Sequence, residues 1–171
     1  MVKTNQKINT CFSLYYSAKA TIGKAYQMKS LNNNAPVQCS KSITIHADRE
    51  KVWSVLTNIN RWANWQTDIT KPKLNGDVQA GSSFDWTTGG VSIHSVLHTV
   101  EPYKEFGWAG KTWGMYAIHN WLITEAENKT IVTVQESMEG FLAKLFRKSF
   151  NKSLEKGMEK WLSLLKAECE K

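Results

Sequence analysis

Two polar side chains in the last third of the chain stand in apolar company. His119 lies two residues before Trp121, and Glu136 lies between Val134 and Met138. An imidazole beside a carboxylate can pass a proton to or from an enolisable carbonyl, as a cyclisation or a dehydration requires. The same two groups can instead form a hydrogen bond that satisfies both in a buried setting. The second role is the stronger expectation, so His119 and Glu136 stand as candidates and no catalytic residue is assigned. Other chemistries lack their residues: there is no G-x-x-x-x-G-K-[ST] loop, no H-E-x-x-H helix and no cysteine cluster for zinc. Ser137 is outside any G-x-S-x-G elbow. His94 and His98 are four apart, which on a strand separates them by about 13 Å, too far to share a metal. Solvent-facing positions are expected for both, and neither a metal nor a cofactor is implied.

The elements that must place His119 and Glu136 follow from period and turn signals. A strand is expected over Gln38–His46. Asp48 caps a short helix, Arg49–Leu56, and a second short helix over Asn60–Trp65 buries Trp62 and Trp65. An extended segment, Thr67–Leu74, ends at Asn75-Gly76. Strands then follow at Ser82–Thr88, Val91–Glu101, Lys104–Thr112, Tyr116–Glu125 and Thr130–Met138, and a long helix runs from about Leu142 to Glu170.

Hairpin turns fix cross-strand partners and therefore faces. A Gly89-Gly90 turn pairs Trp86 with Ile93 and Phe84 with Ser95. A Pro102-Tyr103 turn pairs Leu97 with Trp108 and Thr99 with Phe106. Both place Phe84, Trp86, Ile93, Leu97, Phe106 and Trp108 on one face, with Asp85, Ser92, His94, His98, Glu105 and Lys111 on the other. A turn at Asn128-Lys129 pairs Trp121 with Glu136 and Ile123 with Val134. It sets His119, Trp121 and Glu136 on the inward face, with His119 and Glu136 as diagonal neighbours.

The C-terminal helix carries Leu145, Phe146, Phe150, Leu154, Met158, Trp161, Leu162, Leu165 and Cys169 in three-and-four spacing. Gly157 falls on that apolar side, where it costs about 1 kcal/mol of helix propensity. Together with Ser153 it thins the helix surface and leaves room for a ring from the sheet or for a ligand.

Charge divides the chain. Residues 1–47 hold six lysines and no acid, whereas residues 48–171 carry 16 basic against 15 acidic side chains. Of the net charge of +7, all but one unit therefore belongs to the N-terminal segment. A nearly neutral remainder argues against nucleic acid as a partner. Ile8, Cys11, Phe12, Tyr15 and Ile22 have helical spacing, so a basic amphipathic helix is expected there. Weak membrane-surface contact through residues 6–27 is its sharper reading, without stable insertion. Asn32-Asn-Asn-Ala-Pro36 reads as a linker, which sets the division at 1–36, an extension, and 37–171, the folded domain. Three widely spaced cysteines, Cys11, Cys39 and Cys169, show no disulfide framework and suit a reducing, cytoplasmic setting. No run approaches the roughly 18 apolar residues of a membrane span.

Strand, two short helices, a curved antiparallel sheet and one long C-terminal helix is the order of the helix-grip α+β fold. Residues 40–168 resemble the SRPBCC, or START-like, superfamily, in particular its polyketide cyclase/dehydrase branch. The resemblance rests on Ile43-x-Ile-x-Ala47-Asp-x-Glu50-x-Val-Trp53, Trp62-x-x-Trp65, and Phe84-x-Trp86 followed by Gly89-Gly90. It continues through Ile93-His-Ser95, Glu101-Pro102, Trp108-x-Gly110, His119-x-Trp121 and Glu136-Ser137-x-x-Gly140. It implies a curved sheet wrapped around the long helix, and lipid carriers, receptors and cyclases as kin.

With eight Trp, six Phe and five Tyr in the chain, the first expectation is binding or carriage of a hydrophobic, lipid-like or polyketide-like molecule. Its cavity would be lined by Phe84, Trp86, Ile93, Leu97, Phe106, Trp108, His119, Trp121, Glu136, Phe146, Phe150 and Leu154. The alternatives are a cyclase- or dehydratase-like enzyme using His119 and Glu136, and an interaction module without a small ligand. The oligomeric state is left open.

Overall fold

The computed structural model describes residues 28–127 and 129–171. The helix expected near the N-terminus and Asn128 of the expected turn lie outside the described residues. Seven strands form one antiparallel sheet: β1 (Val37–Ile45), β2 (Ile69–Asn75), β3 (Ser83–Thr88), β4 (Val91–Glu101), β5 (Glu105–Thr112), β6 (Met115–Ala126) and β7 (Lys129–Gly140). Their spatial order is β1-β7-β6-β5-β4-β3-β2. Helix α1 (Arg49–Thr57) and a 3₁₀ turn (Ile59–Asn64) follow β1, and helices α2 (Phe141–Leu145) and α3 (Arg147–Cys169) close the chain. This is the helix-grip α+β architecture. Among the described residues no helix is long and apolar enough to cross a membrane.

Local chemistry accounts for most of the boundaries. Asp48 caps α1 by accepting the Lys51 N–H at 2.6 Å, as a short carboxylate at that position should. Pro72 and the irregular step between Thr70 and Lys73 fall on β2, an edge of the sheet, where a missing N–H costs no ladder bond. Gly89 and Gly90 both take positive φ, 54° and 79°, which a two-residue hairpin turn demands. The pairings Trp86–Ile93 and Phe84–Ser95 follow from it.

Two hairpins depart from expectation, and each departure has a local cause. The β4–β5 connection is one residue longer, Glu101 pairing with Glu105, with Tyr103 at φ 65°. A bulge between Leu97 and Thr99 absorbs the change, so Leu97 still faces Trp108 while Val100, not Thr99, meets Phe106. In the β6–β7 hairpin, Ala126 pairs with Lys129, and Glu127 takes φ 54°. The register moves by two, so every face is kept. Trp121 now opposes Val134, and His119 stands directly across from Glu136 rather than diagonally. The expected single C-terminal helix is two, because the chain turns at Phe146 (φ −105°, ψ 27°) between α2 and α3.

His98 is the clearest correction. It lies on the outer face as expected, yet it is only 5% exposed. Residues 29–32 reach across that face. The Lys29 N–H points to His98 Nδ1 at 3.4 Å, and Asn120 Nδ2 donates to the Lys29 carbonyl at 2.9 Å. Asn32 donates its backbone N–H to Ser137 Oγ at 3.2 Å and its side-chain amide to Glu139 at 2.8 Å. Beneath the ring is Gly107, where a Cβ would come within 2.5 Å of His98 Cε1. A chain beginning at Met28 is therefore expected to melt within a few degrees of the full chain. One beginning at Val37 should lose about 1–3 kcal/mol, since it uncovers His98, Asn120 and Ser137. Thermal melts of the two truncations check this, and equal melting points would show that residues 28–36 add nothing.

Burial, with the Lys29 charge second, pushes His98 down to about 4 from its ordinary 6.5. The unfolded chain takes up this proton near 6.5, while the folded chain withholds it until about 4. The contribution to stability is thus complete above pH 6.5 and is lost as pH falls from 6.5 to about 4. Denaturant midpoints measured across that window should fall more steeply for the natural chain than for His98→Gln. Parallel profiles would contradict the assignment.

Candidate functional site: a cavity between sheet and helix

The inward face of the sheet carries more aromatic surface than its helices cover. At one end the filling is complete. Phe106 packs edge-on against Trp53 of α1, with centroids 5.9 Å apart, and Phe84 against Trp62 of the 3₁₀ turn at 5.5 Å. Trp62 donates its indole N–H to the Leu56 carbonyl at 2.8 Å and also touches Trp86, Trp108 and Trp161. It is the floor on which the remaining rings stand.

Beyond that floor the sheet and α3 diverge and enclose a cavity of about 360 Å³. Of the residues expected to line it, Trp86, Ile93, Trp108, His119, Glu136, Phe150 and Leu154 do so. Phe84, Leu97, Phe106 and Trp121 share the correct face but do not reach it. All four are fully buried in the core; Phe106 packs on Trp53 of α1, Phe84 on Trp62 of the 3₁₀ turn and Trp121 on Trp161. Phe146 is also absent from the lining. It sits outside, half exposed, with its ring 5.9 Å from Phe150.

Several lining residues were not foreseen: Met115 and Met138 near the strand ends, Gly110 on β5, and Met158 and Trp161 on α3. The signal for the last two was present, since both follow Leu154 and Gly157 on the same apolar stripe. Gly157 itself borders the cavity, and a Cβ built there would meet nothing within 4 Å. Gly110 works the opposite way: its Cβ would come within 2.9 Å of Ser95 Oγ, a hydroxyl that accepts the Trp86 indole N–H at 3.1 Å. A side chain at Gly110 would disturb the wall, whereas one at Gly157 would enter the space.

One polar constellation interrupts the apolar wall. His119 Nδ1 lies 2.5 Å from Glu136 Oε2, across adjacent strands in direct register. The imidazole stacks flat on Trp108, centroids 4.3 Å apart and planes within 8°, which locks its orientation. Both side chains are about nine-tenths buried. In the neutral tautomer that donates Nδ1–H to the carboxylate, the ring's other nitrogen is an acceptor. Nε2 is buried and has no hydrogen-bond partner among the described residues, a costly condition for a polar atom unless something else completes it. A cavity-bound hydroxyl or enol would complete it.

Comparison with known proteins agrees with the architecture. The family model described as "Polyketide cyclase / dehydrase and lipid transport" matches residues 36–170. Among solved structures, the hypothetical protein jhp0584 from Helicobacter pylori is similar at 19% identity and TM-score 0.72, covering 82% of this chain and 96% of that one. The two-domain ARO/CYC protein StfQ of the steffimycin biosynthetic pathway is similar at 14% identity and TM-score 0.68. The match covers 78% of this chain and 51% of StfQ, about half of that protein. TTHA0849 from Thermus thermophilus is similar at 13% identity and TM-score 0.66, covering 77% of this chain and 96% of that one. Likenesses at these identities speak to the fold. Among curated proteins none matches.

Proposed function

The chain belongs to the polyketide cyclase/dehydrase and lipid transport family, and on that premise we propose that it binds a flat, mainly apolar small molecule. The ligand occupies the cavity between the sheet and α3, and His119 Nε2 is its polar anchor. The carrying observation is that single unpartnered nitrogen in a wall of Trp86, Trp108, Ile93, Leu154 and Phe150. Apolar lining supplies affinity through buried area, and one fixed acceptor selects a ligand that presents a hydroxyl at the matching place. The volume, about 360 Å³, is at the small end of ligand pockets, which favours a compact ring system over a long acyl chain.

A second reading uses the same atom. A nitrogen whose partner Nδ1–H is held by a carboxylate is arranged as a general base. It could take a proton from a carbon beside a ligand carbonyl, as a cyclisation or dehydration begins. Binding without turnover is favoured because the lining holds no Lys or Arg to stabilise the resulting enolate.

Titration with polycyclic phenols is the test. Saturable quenching of tryptophan fluorescence is expected at micromolar concentration, about −8 kcal/mol, because Trp86 and Trp108 face the ligand. Analogues lacking the hydroxyl should bind more weakly by roughly tenfold, the worth of one hydrogen bond. Absence of saturable quenching by either series would overturn the binding reading. Conversion of an enolisable analogue, lost in His119→Gln, would favour the enzyme.

A further inference from the structure

The four most exposed large apolar side chains among the described residues are Trp113 (79%), Phe141 (74%), Leu145 (60%) and Phe146 (49%). They fall on the β5–β6 turn and on α2 with its end, the segments that adjoin the lining residues Met115 and Phe150. Trp113 is two residues from Met115, which lines the cavity. Phe141 follows Gly140, the residue paired with Met115. That contact is so close that a Cβ on Gly140 would come within 2.3 Å of the Gly114 carbonyl oxygen. Phe146 leans on Phe150, another lining residue. The β5–β6 turn and α2 therefore form one continuous apolar rim.

Folding does not explain this rim. Trp113 and Gly114 make a two-residue turn with φ of 48° and 73°. Positive φ suits the glycine but is uncommon and costly for a tryptophan, and Trp113 gains almost no burial in return. A membrane interface is where such a side chain is stabilised, with its ring at headgroup depth and its N–H still solvated.

The charge around the rim points the same way. Between Glu139 and Glu155 the chain carries Lys144, Arg147, Lys148 and Lys152 and no acid. All four bases are exposed, and none pairs with a described acidic side chain. An apolar tip continued along α2 and the start of α3 by four exposed bases complements an anionic lipid surface.

We propose that this rim docks on an anionic lipid bilayer. Trp113, Phe141, Leu145 and Phe146 enter the boundary between headgroups and acyl chains, and the four bases meet lipid phosphates and carboxylates. Docked so, the protein presents the mouth of its cavity to the membrane. The docking does not depend on what the cavity holds, so it can fail while the binding reading stands, and the reverse.

Flotation of the full chain with lipid vesicles tests this at low ionic strength. Vesicles of phosphatidylcholine with about 30% phosphatidylserine should carry the protein up, pure phosphatidylcholine vesicles should carry far less, and added salt should release it. Trp113→Ser with Phe141→Ser, and separately Lys144→Glu with Lys148→Glu, should each lower the bound fraction by about tenfold or more. Neither pair touches the cavity wall, so melting temperature and phenol binding should be unchanged in both. The proposal is overturned if the natural chain fails to float. It is also overturned if both double variants float like the natural chain, since binding would then run through another surface such as the basic residues before Met28. Equal flotation with neutral vesicles would remove the electrostatic part and overturn it as stated.

Discussion

His119→Ala is expected to lower the stability of the folded chain by about 3 kcal/mol, because it leaves a buried carboxylate without its partner. Glu136 is 8% exposed and shares the cavity wall with Trp108, Met138 and the apolar side of α3, and His119 is its one side-chain hydrogen-bond partner among the described residues. The flat stack of His119 on Trp108 is lost as well. Glu136→Leu made together with His119→Ala should recover most of the loss, since removing both partners removes the unpaired charge. Equilibrium denaturation of the two variants measures the difference. A His119→Ala protein as stable as the natural one would mean that Glu136 finds other partners and that the pair does not organise the wall.

Gly157→Phe is expected to weaken phenol binding on the order of a hundredfold, about 2.7 kcal/mol, while leaving the fold in place. The glycine is on the cavity side of α3 with nothing within 4 Å of a Cβ placed there, so the added ring occupies the ligand's space instead of colliding with the core. Helix propensity alone predicts that the substitution does no harm, and Gly157→Ala should raise stability by about 1 kcal/mol. The informative quantity is the melting-temperature rise that a phenol produces, because a ligand stabilises only a protein that binds it. That rise should persist in Gly157→Ala and vanish in Gly157→Phe. An undiminished rise in Gly157→Phe would place the ligand elsewhere.

Strand parity made the inward face readable residue by residue. Gly89-Gly90 left one register open, and the alternation of Phe84, Trp86 and Ile93 with polar neighbours did the rest. The β6–β7 register was off by two, but a shift of two preserves faces, so His119 and Glu136 remained together and came closer than expected. Parity states which face a side chain takes and not how far along the sheet the helices fill it. For that reason the pattern of Phe84, Leu97, Phe106 and Trp121 points to a cavity that in the structure lies beyond them. The covering of His98 by residues 29–32 was illegible for another reason. It depends on Asn32 and Lys29 bonding to residues 69 to 107 positions away, and such polar side-chain and backbone contacts leave no period in a sequence. Asn and Pro between two segments read as a linker, whether or not the segment lies against the domain.

The proposed ligand lies between Trp86, Trp108 and Nε2 of His119. Nitrogen NMR of the full chain, labelled in histidine and tryptophan, addresses that arrangement directly. Before ligand is added, one nitrogen of His119 should carry the proton shared with Glu136 and the other should appear unprotonated. On saturation with a polycyclic phenol, the unprotonated Nε2 should shift strongly, together with the indole signals of Trp86 and Trp108, while His94 and His98 stay fixed. Saturable binding that leaves Nε2 of His119 and both indoles unmoved would contradict the account.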